Sequence, residues 1–426
     1  MPVYLTIMSD DLLLFRFVET LLPSENVRSI AILTGARQTG KTTSAQRKYP
    51  DLRYINLDAP ENRDALRLLS TSAWAKTVGP AVLDEAQKEP VVFEKVKYAF
   101  DSQALSFSVM LGSSQILLLK KVRESLAGRS SVFELWPLMM SEIHTIPGIA
   151  EKQSPLLDRL INGTDISKAL RDEPELLLDA ADEHCRAAED YLLSWGGMPA
   201  LLSLSPEERW QWLKDYEYTY LERDLSDLAR LDDLLPFRTF QKLAALRSGQ
   251  MLNYSEIARD AGLSVDTARR YTEYLRLSYQ TILIQPYYKN ITSTLVKSPK
   301  IYWVDVGLLR HLTGIRVEVS GAIYETMVVG EIIKWIKTMR RDVEVYFYRT
   351  RSGMEVDLLL VTQHGIIGVE VKARRSVAPP DWRALREIAE RLGGDLLGGL
   401  VIYRGSQIRE VSEPGIWSIP SRRLFT

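Results

Sequence analysis

Gly35-Ala36-Arg37-Gln38-Thr39-Gly40-Lys41-Thr42 places two glycines, a lysine and a hydroxyl at the spacing that cradles phosphate. Gly35 and Gly40 let the backbone close on an anion without a Cβ in the way. The N–H groups of Arg37, Gln38, Thr39 and Gly40, and the helix start at Lys41, Thr42 and Thr43, then face that anion. Lys41 is expected to reach the β- and γ-phosphates, and Thr42 to hold Mg²⁺. The apolar run Ile30–Leu33 ahead of the segment reads as a buried strand, and Thr43–Lys48 after it can open a helix. A second run, Ala81-Val82-Leu83, ends in Asp84-Glu85. Asp84 is expected in the Mg²⁺ shell and Glu85 as the base that polarises a water. A third group is spread along the C-terminal part: Asp357, then Glu370-Val371-Lys372, with Glu325 upstream. Two carboxylates and a lysine on adjacent strands suit Mg²⁺ binding and water activation at a phosphodiester. Asp357, Glu370 and Glu325 are the expected metal ligands there, with Lys372 as the charge stabiliser.

These side chains need a scaffold. Strands expected at 30–33, 54–57, 80–85, 107–114 and 131–135 alternate with helical stretches. That alternation defines an α/β fold with a parallel, doubly wound sheet. Its ligands bind at the carboxyl ends of the strands, where Ser113 and Ser114 also fall. Either hydroxyl could sense the γ-phosphate. Arg129 is expected to complete a phosphoryl-transfer site, its own or a neighbour's, with Arg123 and Arg223 as competing candidates. Leu13, Leu14, Phe17, Val18, Leu21 and Leu22 have helical spacing over 10–22.

The chain divides into residues 1–148 around the phosphate loop, a helical lid over 149–235, a helix-turn-helix unit with a wing over 236–297, and an αβ unit over 298–426. Ile257, Ala258, Leu263, Val265, Ala268 and Leu275 have the spacing of a helix-turn-helix core. Residues 237–290 hold eight basic and four acidic side chains. Arg269 and Arg270 lie on the recognition helix, so DNA is the expected partner. Packing with a solvated basic face is the other reading.

Net charge over all 426 residues is −1, so contact with nucleic acid must come from a local patch. Cys185 is the single cysteine, which excludes an intrachain disulfide and suits a cytoplasmic location. No uncharged apolar run approaches the ~20 residues that span a bilayer, and no signal peptide is expected.

The first part resembles AAA+ P-loop ATPases, and the last part resembles the PD-(D/E)xK nuclease superfamily. The combination resembles a bacterial and archaeal family of ATPases with a C-terminal domain of unknown function. The resemblance is carried by Gly35–Thr42, Leu83–Gln87, Gly112–Ser114, Leu126–Arg129, Gly196–Pro199, Ser298–Gly307 and Glu355–Lys372. It implies ATP and Mg²⁺ as cofactors, Ser113 as sensor, Arg129 acting in trans, and a homo-oligomer, with a hexamer expected. It also implies a restriction-endonuclease-like fold at the C-terminus. Two functions remain open: an ATP-driven machine on duplex or branched DNA, or a nucleotide-controlled signalling or defence switch with a C-terminal binding or effector domain.

Overall fold

The computed structural model describes residues 14–113, 122, 124–144, 154–177, 180–229, 234–287, 298–350, 353–412 and 415–426. Five strands form the first sheet: β1 (Ser29–Thr34), β2 (Arg53–Asn56), β3 (Ala81–Asp84), β4 (Phe107–Gly112) and β5 (Ser130–Glu134). They pair in the order β2-β3-β4-β1-β5, and every pairing is parallel. Burial on both faces explains why β1, β3 and β4 read as unbroken hydrophobic runs. β4 lies between β1 and β3, so the phosphate loop, Ser113 and Asp84 leave neighbouring strand ends on one edge. The expected helix over 10–22 is reduced to Val18–Leu21, with residues 1–13 outside the described set. The reason is a tertiary contact: Phe17 donates its N–H to the buried Glu142 carboxylate instead of to a preceding turn, and Pro23 follows.

Helices Ala180–Trp195 and Pro206–Ala229 follow. The second reaches the phosphate loop, where the Tyr216 hydroxyl donates to the Arg37 carbonyl at 3.3 Å.

The helix-turn-helix is Tyr254–Asp260 and Val265–Leu277, packed on helix Leu235–Leu246. Asn253 caps the first helix by accepting from the N–H of Ser255 and Glu256, and Ser264 caps the second by accepting from Thr267 N–H. Buried Ile257, Ala258, Ala268 and Leu275 form its centre. β7 (Thr281–Pro286) and β8 (Lys300–Trp303) form an antiparallel hairpin after it, and the short β6 (Gln250–Met251) pairs with β8. The expected boundary between 297 and 298 therefore falls between the two strands of one hairpin. Residues 288–297, between these two strands, lie outside the described residues.

Helix Gly321–Thr338 is apolar around most of its circumference and is correspondingly buried. After it come β9 (Val343–Arg349), β10 (Glu355–Thr362), β11 (Gly365–Lys372), helix Arg383–Leu392, β12 (Leu396–Tyr403), β13 (Arg409–Ser412) and β14 (Ile416–Pro420). β9, β10 and β11 pair antiparallel, and β12 joins β11 in parallel. β7 pairs with β9 through Gln285 and Pro286, so hairpin and C-terminal strands share one nine-stranded sheet. No helix among the described residues is long and apolar enough to cross a membrane.

Candidate functional site

At the end of β1 the backbone adopts conformations that only this sequence tolerates cheaply. Gly35 lies so close to Leu135 that an added Cβ would sit 2.0 Å from its carbonyl oxygen. Gly40 has φ +94° and Gln38 φ +62°, so the loop turns twice through left-handed space. Helix Lys41–Lys48 starts directly behind it. The Lys41 ammonium folds back onto the carbonyls of Gly35 (2.9 Å) and Ala36 (2.7 Å). Thr39 ties the loop internally by donating to Ala36 O at 2.8 Å. Arg37 is buried, while Gln38 and Thr43 are exposed.

Thr42 Oγ1 donates to Asp84 Oδ2 at 2.7 Å, and the Tyr54 hydroxyl donates to the same oxygen at 2.7 Å. Burial and the Asp84 carboxylate both push the Tyr54 phenol well above its ordinary range, so it stays a donor. Thr42 and Asp84 thus form an adjacent pair of hard oxygen donors, the set that Mg²⁺ prefers. Glu85 has φ +52°, a left-handed conformation unusual for a side-chain-bearing residue and of the kind found at functional sites. Gln87 Nε2 donates to Glu85 Oε2 at 2.5 Å, and Arg37 Nη1 lies 3.8 Å from Glu85 Oε1. The buried Ser113 Oγ has no hydrogen-bond partner among the described residues.

Arg129 stands elsewhere. It precedes β5, and its N–H-facing carbonyl is taken by Ile30 N at the start of β1. That is the amino end of the strands, opposite the end that carries the phosphate loop. Its guanidinium pairs with Asp101 (2.5 and 3.0 Å) at the surface. Ser114 and Arg123 lie outside the described residues, as does the side chain of Arg223.

Several participants escape a sequence reading. Arg16 donates to Thr39 O and Trp136 O, both at 2.6 Å, and clamps the loop from outside. The Tyr279 hydroxyl lies 3.3 Å from Thr34 Oγ1, and its ring meets Trp136 edge-on. Tyr279 follows helix Val265–Leu277 and has φ +60°.

Arg269 and Arg270 are exposed on helix Val265–Leu277. The Arg269 guanidinium lies 4.3 Å from the centre of the Tyr254 ring, which holds it against the preceding helix.

Glu325, Asp357, Glu370 and Lys372 come together across helix Gly321–Thr338, β10 and β11. Lys372 Nζ is 2.6 Å from Glu370 Oε2 and 4.0 Å from Asp357 Oδ2. Asp357 Oδ2 accepts from Val371 N at 2.8 Å. The expectation that Glu325, Asp357 and Glu370 surround one metal is corrected by the geometry. Lys300 inserts its ammonium between Glu325 (3.4 Å), Asp357 (3.7 Å) and Glu355. Among the described residues no group of three acidic, histidine or cysteine side chains is arranged to hold a metal. The residues as placed do not fit an added Mg²⁺. Burial, then Asp357, pushes the Glu325 carboxyl up to about 7 and the Glu370 carboxyl up to about 8. Burial pulls the Lys300 ammonium down, but Glu325, Asp357 and Glu355 outweigh it and hold the group charged.

A parallel sheet with a glycine-turned phosphate loop beside an Asp-Glu strand end defines a P-loop ATPase domain. Residues 27–144 match the model of an AAA domain. Residues 186–318 and 320–424 match two models described as domains of unknown function, DUF8612 and DUF4143. Uncharacterized proteins of Mycobacterium tuberculosis and Mycobacterium bovis are each 26% identical over 93% of this chain and 81% of their own length. Among solved structures, the chain is similar to a Walker-type ATPase of Pyrococcus abyssi at TM-score 0.41 and 14% identity, covering 68% of this chain and 91% of that one. It is also similar to the Aeropyrum pernix ORC1 protein in complex with DNA, at TM-score 0.28 and 14% identity, covering 67% and 87%.

Proposed function

We propose that this protein hydrolyses ATP and that its nucleotide state sets how the helix-turn-helix unit binds DNA. The observation that carries this reading is the contact between Tyr279 and Thr34. It joins the end of the DNA-facing segment to the residue before the phosphate loop. Lys41 leaves its two loop carbonyls to neutralise the β- and γ-phosphates. Thr42 and Asp84 would hold Mg²⁺, which supplies charge neutralisation on the phosphates when bound. Glu85 orients and deprotonates the attacking water, and Gln87 and Arg37 position it until substrate arrives. Ser113 Oγ, buried with no partner among the described residues, provides a donor toward the γ-phosphate side of the site. Arg129, at the amino end of the strands, serves a neighbouring subunit's site in a homo-oligomer, for which a hexamer is the expected size.

DNA-stimulated ATP turnover tests the reading. Turnover that rises when duplex or branched DNA is added supports it. Slow turnover indifferent to DNA, with ADP tightly retained, favours the signalling or defence switch instead.

A second reading gives the C-terminal unit DNA gripping without cutting. The gathering of Asp357, Glu370, Lys372 and Glu325 favours it. Incubation of linear, circular and four-way DNA with Mg²⁺ or Mn²⁺ tests it. Binding without cutting supports gripping, and cutting that disappears in Asp357→Ala contradicts it.

A further inference from the structure

Lys300 is a basic residue buried where the acidic cluster leaves least room. Its side chain is 4% exposed, and three carboxylates from two other elements surround its ammonium: Glu325 at 3.4 Å, Asp357 at 3.7 Å, and Glu355. The Phe347 ring lies beneath it, 5.7 Å from Nζ. The remaining donors of the cluster are also committed. Tyr302 OH donates to Glu325 Oε1 at 2.7 Å, Val371 N to Asp357 Oδ2 at 2.8 Å, and Lys372 Nζ to Glu370 Oε2 at 2.6 Å. Four carboxyl groups therefore face two ammonium groups, both from the chain itself. Mg²⁺ needs several free oxygens in near-octahedral array. A divalent ion placed among these oxygens would also meet the Lys300 charge at contact distance.

We infer that Lys300 is the resident cation of this cluster, and that it excludes divalent metal from Glu325, Glu355 and Asp357. Removing one partner of a buried charge group leaves the others uncompensated. The cluster without Lys300 therefore becomes a divalent-cation site. Lys300 opens β8, whose hairpin partner β7 follows the recognition helix. The same strand that completes the DNA-facing unit thus delivers the lysine that closes the acidic cluster. This goes beyond the ATP- and DNA-linked reading and is separable from it, because its test uses neither nucleotide nor DNA.

The test is titration of full-length, nucleotide-free protein with Mn²⁺ alone, following free Mn²⁺ by electron paramagnetic resonance. Every protein carries Lys41→Ala, so that no copurified nucleotide brings metal. The parent and its Asp357→Asn derivative should bind the same number of Mn²⁺ ions. Adding Lys300→Met should create one further site per chain, at least 10-fold tighter than any in the parent. Lys300→Met with Asp357→Asn should lose it. The inference is overturned if Asp357→Asn removes a bound Mn²⁺ from protein that keeps Lys300, or if folded Lys300→Met gains none. Circular dichroism establishes folding. Should Lys300→Met not fold, the comparison of parent with Asp357→Asn still decides: equal stoichiometry supports the inference and a lost ion refutes it.

Discussion

The Tyr279 hydroxyl sits 3.3 Å from Thr34 Oγ1, so a residue just past helix Val265–Leu277 touches the last residue of β1. Thr34 is followed at once by Gly35, whose carbonyl accepts from Lys41. A change in the phosphate loop is therefore one peptide bond and one hydrogen bond from Tyr279. Tyr279→Phe removes the hydroxyl and keeps the ring against Trp136. A lost hydrogen bond of this kind costs about 1 kcal/mol. The expected outcome is a small fall in melting temperature, near-normal basal ATP turnover, and a clearly reduced stimulation of turnover by DNA. Stimulation equal to wild type would remove this contact from the coupling.

The phosphate loop and Asp-Glu pair make separable predictions. Lys41→Ala should weaken ATP binding by roughly 10- to 100-fold, the worth of a charge-assisted contact. Glu85→Gln should leave binding intact and slow hydrolysis by about 10²-fold or more. Equilibrium binding of a fluorescent ATP analogue and single-turnover hydrolysis distinguish the two. Substantial hydrolysis in Glu85→Gln would exclude Glu85 as the base.

Arg269 and Arg270 should meet phosphate. Reversing both charges, Arg269→Glu with Arg270→Glu, should weaken DNA binding. It should also flatten the dependence of log affinity on log salt by roughly two units, about one per lost phosphate contact. Basal ATP turnover should stay unchanged. An unaltered salt slope would assign this helix to packing.

Arg129 gives an assembly prediction. Arg129→Ala and Lys41→Ala each spoil a different half of a shared site. Mixing the two inactive proteins should restore part of the ATP turnover through mixed interfaces. A monomer that is fully active at every concentration would end the trans role.

The acidic cluster gives a pH prediction. Glu325 and Glu370 are held protonated to about 7 and about 8 in the fold, above the range of an exposed carboxylate near 4.3. A carboxyl with a raised folded-state value contributes stability that is fully present at low pH. That contribution is lost as pH rises through the folded-state value. Melting temperature should therefore fall between about pH 5 and 8, and Glu370→Gln should show a shallower fall over the same window. Parallel profiles for the two proteins would contradict the raised value at Glu370.

The phosphate loop, Asp84-Glu85 and the five-strand alternation were legible because each is a local pattern: apolar runs, glycines and strand-ending acids. The helix pair Tyr254–Asp260 and Val265–Leu277 was legible for the same reason, through its apolar spacing. Asp357, Glu370 and Lys372 also follow from strand periodicity. What the pattern could not supply were partners brought from far along the chain. Arg16 reaches Thr39 and Trp136, Tyr54 reaches Asp84, and Tyr279 reaches Thr34, none at a spacing that any periodicity encodes. Lys300 was the costliest omission. It lies in an unremarkable Ser-Pro-Lys stretch, and only the pairing of β8 with β7 brings its ammonium among Glu325, Glu355 and Asp357. The short helix at Val18 and the shared hairpin across 297/298 have the same origin, since tertiary contacts overrode the local pattern.

Coupling of nucleotide state to DNA affinity is tested most directly by one titration. The affinity of the Glu85→Gln protein for a fluorescent duplex is measured at fixed salt with saturating ATP, and again with saturating ADP. A ratio of 10-fold or more between the two states, absent in Lys41→Ala, is the predicted result. Equal affinities within twofold, with both nucleotides demonstrably bound, would contradict it.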